Sequence, residues 1–439
     1  MTATGGPPPV ERSETLHERV QAAIAALAPN DLPWTWPDAE FDSMARAVFE
    51  HQFEGCAAYR HYCEGQDRSP SRVDDWRGIP AVPTEVWKTL DLCTFPKERA
   101  AASFLTSGTT VGTRGRHHLL RTDTYTASLA PWMDRFLGLR QGRRERLVVL
   151  APSFAQDPAS SLSFMLQWAV DARGDEASDF FWSERGPEIG AAAAALREAA
   201  AERVPVVILG TARALQALWE QVLRATGPGI GGGGRRGGSG GAGSGVAAAR
   251  RCPILLPEGS RAMETGGFKG AAASLGRDEF YAALSAGLGL PPHAVVSEYG
   301  MTELGSQGWQ PGFLMARDET ARDRFEHACC VARDLGFDAA DLVGIPRLFA
   351  FPPWCRVAAA DSQSLELLPE GRRGLLRFWD LSNVDSILAV QTADEGVVLP
   401  EGLGVLMFGR APSAVPRGCS LAVDEILRGI GPRGRECAP

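Results

Sequence analysis

Residues 294–303 read Ala-Val-Val-Ser-Glu-Tyr-Gly-Met-Thr-Glu. The apolar opening, Ala294–Ser297, predicts a strand, and the segment after it changes character at once. An aromatic, a glycine, a hydroxyl and a carboxylate (Tyr299, Gly300, Thr302 and Glu303) then stand at the strand's C-terminal end. That is where open α/β sheets bind ligands. A tyrosine there can stack on a base, a threonine can donate to a phosphate and a glutamate can hold Mg2+. From these residues alone, a polar loop with one core tyrosine reads equally well.

Upstream, strand and helix patterns alternate. The runs Leu147–Ala151, Val204–Leu209 and Pro253–Leu256 read as buried strands. Helical spacing covers Pro187–Ala201, Ala212–Arg224 and Asp278–Ala286, and two earlier helices are expected over His17–Ala28 and Ala39–Phe53. Strands alternating with helices argue for a largely parallel sheet covered on both faces. From Pro346 onward short strands dominate: Leu348–Phe351, Leu375–Trp379, Ile387–Gln391 and Val405–Phe408. The expected organisation is a disordered leader over 1–14, an α/β core over 15–345, a β-rich subdomain over 346–408 and a hinge-like tail over 409–439. Within 227–245, 12 of 19 residues are glycine. Burial cannot offset the ordering entropy of such a segment, which reads as a flexible surface insertion.

The chain has 439 residues, a net charge of −8 and 44% hydrophobic residues. Acids and bases are interspersed, without the basic footprint of a nucleic-acid binder. The longest apolar runs are too short to span a bilayer, and Met1–Glu14 lacks the apolar core of a signal peptide. Nine cysteines and seven histidines fall into no ligand or disulfide spacing. Reduced thiols and a cytoplasmic location are expected.

Four more segments carry chemistry. Thr106–Ser107–Gly108–Thr109–Thr110, continued by Arg114, Gly115, Arg116, His117 and His118, combines hydroxyls, glycines and guanidinium groups. Such a loop suits a phosphate, although a Ser/Thr/Gly run is also an ordinary turn. His117 and His118 read as exposed loop histidines or as a base or phosphate donor. Gly266–Gly267, followed by Lys269, form a turn that can expose backbone to a planar ring. Gln391–Gly396, with Asp394, follows a strand, and Gly409–Arg410 precedes Arg417–Gly418–Cys419–Ser420.

In this order and spacing the segments resemble the core motifs of the adenylate-forming superfamily. Ile79–Pro83 with Lys88 downstream, Arg114–His117 and the Arg417–Ser420 ending resemble its acyl-protein synthetase (LuxE-type) branch, relatives of phenylacetate-CoA ligase. The resemblance covers roughly residues 45–427. It implies an α/β adenylate-forming core of mixed sheets with flanking helices, a small β-rich subdomain, and a C-terminal lid domain truncated or absent.

The same resemblance implies a carboxylic-acid substrate, ATP and Mg2+. Thr106, Ser107, Gly108, Thr109 and Thr110 inherit the phosphate loop, with Arg114 and Arg116 as compensating charges. Val111 stands where glycine is commonest and no lysine follows. Gly266 and Gly267 would line the adenine, Tyr299 with Gly300 would stack on it, and Thr302 would bond the α-phosphate. Glu303 would hold Mg2+, Asp394 the ribose hydroxyls, and Arg410 would lie near ribose and α-phosphate. Lys269 or Arg410 would replace the lid lysine. Cys419 matches the acyl-carrying cysteine, its acyl group passing to a reductase, acyl-transferase or carrier-protein partner. Two alternatives stand beside self-acylation: delivery to coenzyme A or a carrier phosphopantetheine, and a non-catalytic nucleotide-binding scaffold. The acid is open among fatty, aryl and small polar acids.

Overall fold

The computed structural model describes residues 9–26, 34–106, 114–223, 253–266, 276–337 and 348–411. The chain divides into two units that do not follow its order. One comprises 1–144, 152–173 and 296–439; the other comprises 145–151 and 174–295.

The second unit is built on parallel strands. Arg146–Leu150 lies between Asp179–Phe180 and Val206–Thr211, and Val206–Thr211 in turn pairs with Arg261–Thr265. The long central strands are buried almost throughout. This is why they read as continuous apolar runs rather than alternating ones. At Gly210 an added Cβ would lie 3.0 Å from the Leu150 side chain, so the close approach of these two strands favours glycine. Ile189–Glu202 and Arg277–Leu288 are helices of this unit, the latter ending at Gly289 with φ +67°. The expected strand at Pro253–Leu256 is not one. Ile254 and Leu256 instead donate their N–H groups to the carbonyls of Gly287 and Leu288. They satisfy carbonyls left open at a helix end, a task a short apolar run performs as readily as strand pairing.

The first unit carries an antiparallel sheet in the order Leu348–Phe349, Val405–Arg410, Ala389–Val398, Arg373–Asp380, Cys355–Ala360. Val82–Pro83 joins it in parallel, opposite Val390–Gln391. The segment Gln391–Gly396, expected to follow a strand, lies inside one of ten residues. A bulge at Glu395/Gly396 marks it. At Gly396 an added Cβ would meet the Leu406 carbonyl oxygen at 2.6 Å, so only glycine fits there.

The first helix begins at Pro9, inside the stretch expected to be disordered. Ser13, Leu16, His17, Val20 and Ile24 are buried. That spacing gives the helix one face to bury, which supplies the stabilisation a polar leader lacks. Asp38–Gly55 forms the next long helix. Both are pinned through Asp385. Its carboxylate accepts from Ser13 (2.8 Å), His17 Nε2 (2.8 Å), His51 Nε2 (2.7 Å) and Thr94 (2.7 Å). These donors hold its pKa well below the usual carboxylate range against the opposing cost of burial.

Candidate functional site

The hairpin of Ala102–Leu105 and Arg116–Leu119 pairs Phe104 with His117 and Leu105 with Arg116. Its mouth is closed twice. Thr106 N–H donates to the Gly115 carbonyl at 2.9 Å, and Gly115 N–H donates to Thr106 Oγ1 at 3.0 Å. An added Cβ at Gly115 would lie 3.0 Å from both Thr106 and Trp87, so the turn Thr84–Lys88 packs against this mouth. Ser107, Gly108, Thr109 and Thr110 lie outside the described residues. Arg114 and Arg116 flank the mouth and are exposed.

Thr302 is clamped to both strands of the hairpin. Its hydroxyl donates to the Leu105 carbonyl at 3.3 Å, and its own carbonyl accepts from His117 Nδ1 at 2.6 Å. A carbonyl only accepts, so Nδ1 carries the ring hydrogen. Burial lowers the His117 pKa to about 4, so the ring is neutral. Its Nε2 is therefore a buried acceptor with no partner among the described residues. The two histidines were expected in a loop. They lie in a strand and are buried, at 1% and 5% exposure. His118 contacts Ser103 (2.8 Å) and Asp91 (3.1 Å).

Beside Thr302, Glu303 is 6% exposed. Desolvation pushes its carboxyl pKa up to about 7; nearby Glu85 adds to this, while Lys88 and Arg410 oppose it. Asn383 holds the Glu303 backbone, donating from Nδ2 to its carbonyl at 2.8 Å. Gln52 donates in turn to the Asn383 carbonyl at 2.6 Å.

Tyr299 ends the strand Val295–Tyr299. Its hydroxyl donates to Asp394 Oδ2 at 2.8 Å, and its ring stacks on Phe378 with centroids 6.1 Å apart and planes 19° apart. Burial and the neighbouring Asp394 raise its hydroxyl pKa well above the usual value. Asp394 also lies opposite Arg410 in the strand register. Arg410 closes the strand Val405–Arg410, and its Nη2 lies 3.7 Å from Glu85 Oε1.

The first unit thus brings Thr106, Arg116, Tyr299, Thr302, Glu303, Asp394 and Arg410 into one connected neighbourhood. Gly266 belongs to the other unit, at a strand end with φ +88° and open space where a Cβ would stand. Gly267, Lys269 and Cys419 lie outside the described residues. Sequence reasoning missed Glu85 and Asn383. Glu85 carried one signal, its place three residues before Lys88 in the quoted segment.

The donor chemistry fits Mg2+. A buried carboxyl destabilised as an anion gains from a divalent cation, and a second carboxylate, Glu85, acts on it. Among the described residues no three His, Cys, Asp or Glu side chains group as metal ligands. Mg2+ is commonly held in this way, by one or two carboxylates with water and substrate phosphates completing the shell.

No protein-family profile matches the chain, and no curated protein matches it in sequence. Among solved structures it is similar to 2-hydroxyisobutyryl-CoA ligase. An open conformation of that protein in complex with 2-HIB-AMP and CoA superimposes with a TM-score of 0.53 at 14% identity, over 86% of this chain and 71% of that one. Its postadenylation state with 2-HIB-AMP gives 0.52 at 14% identity, over 86% and 69%. Its thioesterification state gives 0.50 at 14% identity, over 92% and 69%. Among the described residues no helix is long and apolar enough to cross a membrane. The chain has the α/β fold of the adenylate-forming-enzyme core.

Proposed function

We propose that the chain activates a carboxylic acid with ATP as an acyl-adenylate and then passes the acyl group to a thiol. The observation that carries this reading is the clamp on Thr302. It joins the mouth of a hydroxyl- and guanidinium-rich hairpin to the Tyr299–Glu303 segment across 197 residues of sequence. On this reading the hairpin mouth would meet the phosphates and the neighbouring Glu303 carboxylate would meet the cation.

In the first step a carboxylate oxygen of the acid attacks the α-phosphorus, and the bond to the bridging oxygen breaks to release pyrophosphate. Two anions must approach, so cationic side chains and hydrogen-bond donors around the phosphates lower the barrier. Thr106 and Arg116 would bind phosphate oxygens, Thr302 would turn its hydroxyl to the α-phosphate and Arg410 would lie near the ribose. Mg2+ held by Glu303 would supply positive charge to the phosphate oxygens. Asp394 would exchange its bond from Tyr299 for the ribose hydroxyls, freeing the tyrosine to move against the base. In the second step a thiolate attacks the acyl carbon and AMP leaves. The acceptor proposed is Cys419, as in acyl-protein synthetases, with coenzyme A or a carrier phosphopantetheine as the alternative.

ATP–pyrophosphate exchange against a panel of carboxylic acids tests the first step, with Glu303→Ala as control. Exchange that depends on one acid and is lost in the control supports it. Absence of exchange with every acid, alongside measurable ATP binding, overturns it in favour of a nucleotide-binding scaffold. Cys419→Ser separates the acceptors: self-acylation is lost if Cys419 carries the acyl group, and transfer to a soluble thiol survives if it does not.

A further inference from the structure

The first unit also holds a cavity of about 460 Å3, a size common among small-molecule sites. Cys355, Arg356, Val357, Ala358 and Ala359 line it in succession. Side chains alternate between the two faces of a strand, so five consecutive lining residues place the cavity along the edge of Cys355–Ala360 rather than over one face. That strand is the last of its sheet. Its outer edge is covered at both ends: Leu368 N–H donates to the Ala359 carbonyl at 2.8 Å, and Cys355 N–H to the Pro352 carbonyl at 2.8 Å. Val357 stands between these bonds, at an outward-facing position of the ladder.

The walls combine indole rings with an excess of acid. Trp36 and Trp76 line the cavity and are buried, and the Arg77 guanidinium lies 4.2 Å from the centroid of the Trp76 ring. Three acids, Asp38, Glu370 and Glu401, face two bases, Arg77 and Arg356. Asp38 serves both guanidinium groups, 3.1 Å from Arg356 and 3.4 Å from Arg77. Glu370 and Glu401 have no ion-pair partner among the described residues; Arg77 acts on Glu370, and Glu401 on Arg324, only at longer range. Burial raises the Glu370 pKa; Arg77 and the Glu401 N–H oppose this, while Asp38 and Glu401 add to it.

We propose that this cavity binds an organic monocation, a molecule whose single ammonium group meets Glu370 and Glu401 and whose apolar or aromatic body lies along the Cys355–Ala360 edge between the indoles. An ammonium brought to Glu370 offsets the cost of burying that carboxylate, and the faces of indole rings attract the same charge. An anion of the same shape meets the surplus of carboxylate. Phe351 lines the cavity, and its ring lies 5.9 Å from that of Tyr299. Tyr299, Thr302, Glu303, Asp394 and Arg410 do not line it, so binding there requires neither nucleotide nor acid activation.

The probe is 4-phenylbutylamine, titrated calorimetrically into the full chain at pH 8 without ATP, beside the neutral 4-phenylbutanol. One equivalent of the amine is expected to bind, and the alcohol at least about 10-fold more weakly, the loss of one charge-assisted contact. Glu370→Gln is expected to weaken the amine by about the same factor and to leave the alcohol within about 2-fold. Ala358→Trp, which fills the cavity, is expected to abolish binding of both. Glu198→Gln, an exposed carboxylate of the other unit, is expected to change neither. Thermal melting checks that each variant is folded, and Glu370→Gln carries the test if Ala358→Trp is not. Equal affinity for amine and alcohol, amine affinity unchanged in Glu370→Gln, or equal weakening in Glu198→Gln overturns the proposal. So does the absence of saturable amine binding below about 10 mM. Loss of amine binding in Glu370→Gln, in a chain that shows no ATP–pyrophosphate exchange with any acid, supports the cavity site and refutes adenylation alone.

Discussion

Glu303→Gln is expected to make the protein more stable while removing its activity. The carboxyl is 6% exposed, and desolvation raises its pKa from 4.5 to about 7. Between those values the folded chain holds a proton that the unfolded chain has released, so stability falls as pH rises through this window. The gap corresponds to about 3 kcal/mol, at 1.36 kcal/mol for each pH unit. Above pH 7 that whole cost is present, and at pH 5 under about 1 kcal/mol of it remains. Glutamine keeps the size and polarity of the side chain and cannot ionise. Urea denaturation in EDTA is then expected to show the variant about 3 kcal/mol more stable than the parent at pH 8 and nearly equal to it at pH 5. ATP with Mg2+ is expected to narrow the difference at pH 8, because only the parent gains the cation. A variant no more stable than the parent at pH 8, or one whose gain is the same at both pH values, refutes the account of a carboxylate strained by burial and relieved by a cation.

Asp385→Asn removes the charge on which Ser13, His17, His51 and Thr94 converge, and is expected to cost about 3–5 kcal/mol at neutral pH. Because the Asp385 pKa is depressed, that contribution is present above the unfolded value near 3.8 and declines as the pH falls below it, so denaturation of parent and variant is expected to converge in acid. His117→Phe deprives the Thr302 carbonyl of its donor, whereas His117→Asn keeps an N–H near the position of Nδ1. The first is expected to lose about 1–2 kcal/mol of stability with weakened ATP binding, the second to retain most of both. Equal behaviour of the two variants in melting and ATP titration would sink the clamp.

The parallel strands of the second unit were legible because a strand buried on both faces writes an unbroken apolar run, as in Leu147–Ala151 and Val204–Leu209. Pro253–Leu256 has the same look and a different fate, because four apolar residues can cap a helix as well as extend a sheet. The helix Asp123–Leu137 escaped the reading. It carries Pro131 inside it, and yet Leu129, Trp132, Met133 and Phe136 are buried. Its packing outweighs the propensity penalty that argues against a helix there.

The neighbourhood of Glu303 was half legible, for a related reason. Tyr299, Thr302 and Glu303 announce themselves because three chemically distinct groups stand together in the chain. Glu85, Lys88 and Arg410 act on the same carboxyl from two remote segments, Asn383 holds the Glu303 backbone from a third, and no periodicity connects them. What decides whether Glu303 is protonated or ionised is its burial, adjusted by those remote charges. A carboxyl at about 7 is poised between protonated and ionised forms at neutral pH, so removing either Glu85 or Lys88 is expected to shift it, in opposite directions. Glu303 is written in one motif, while its pKa is raised by burial and adjusted by a turn more than two hundred residues earlier in the chain.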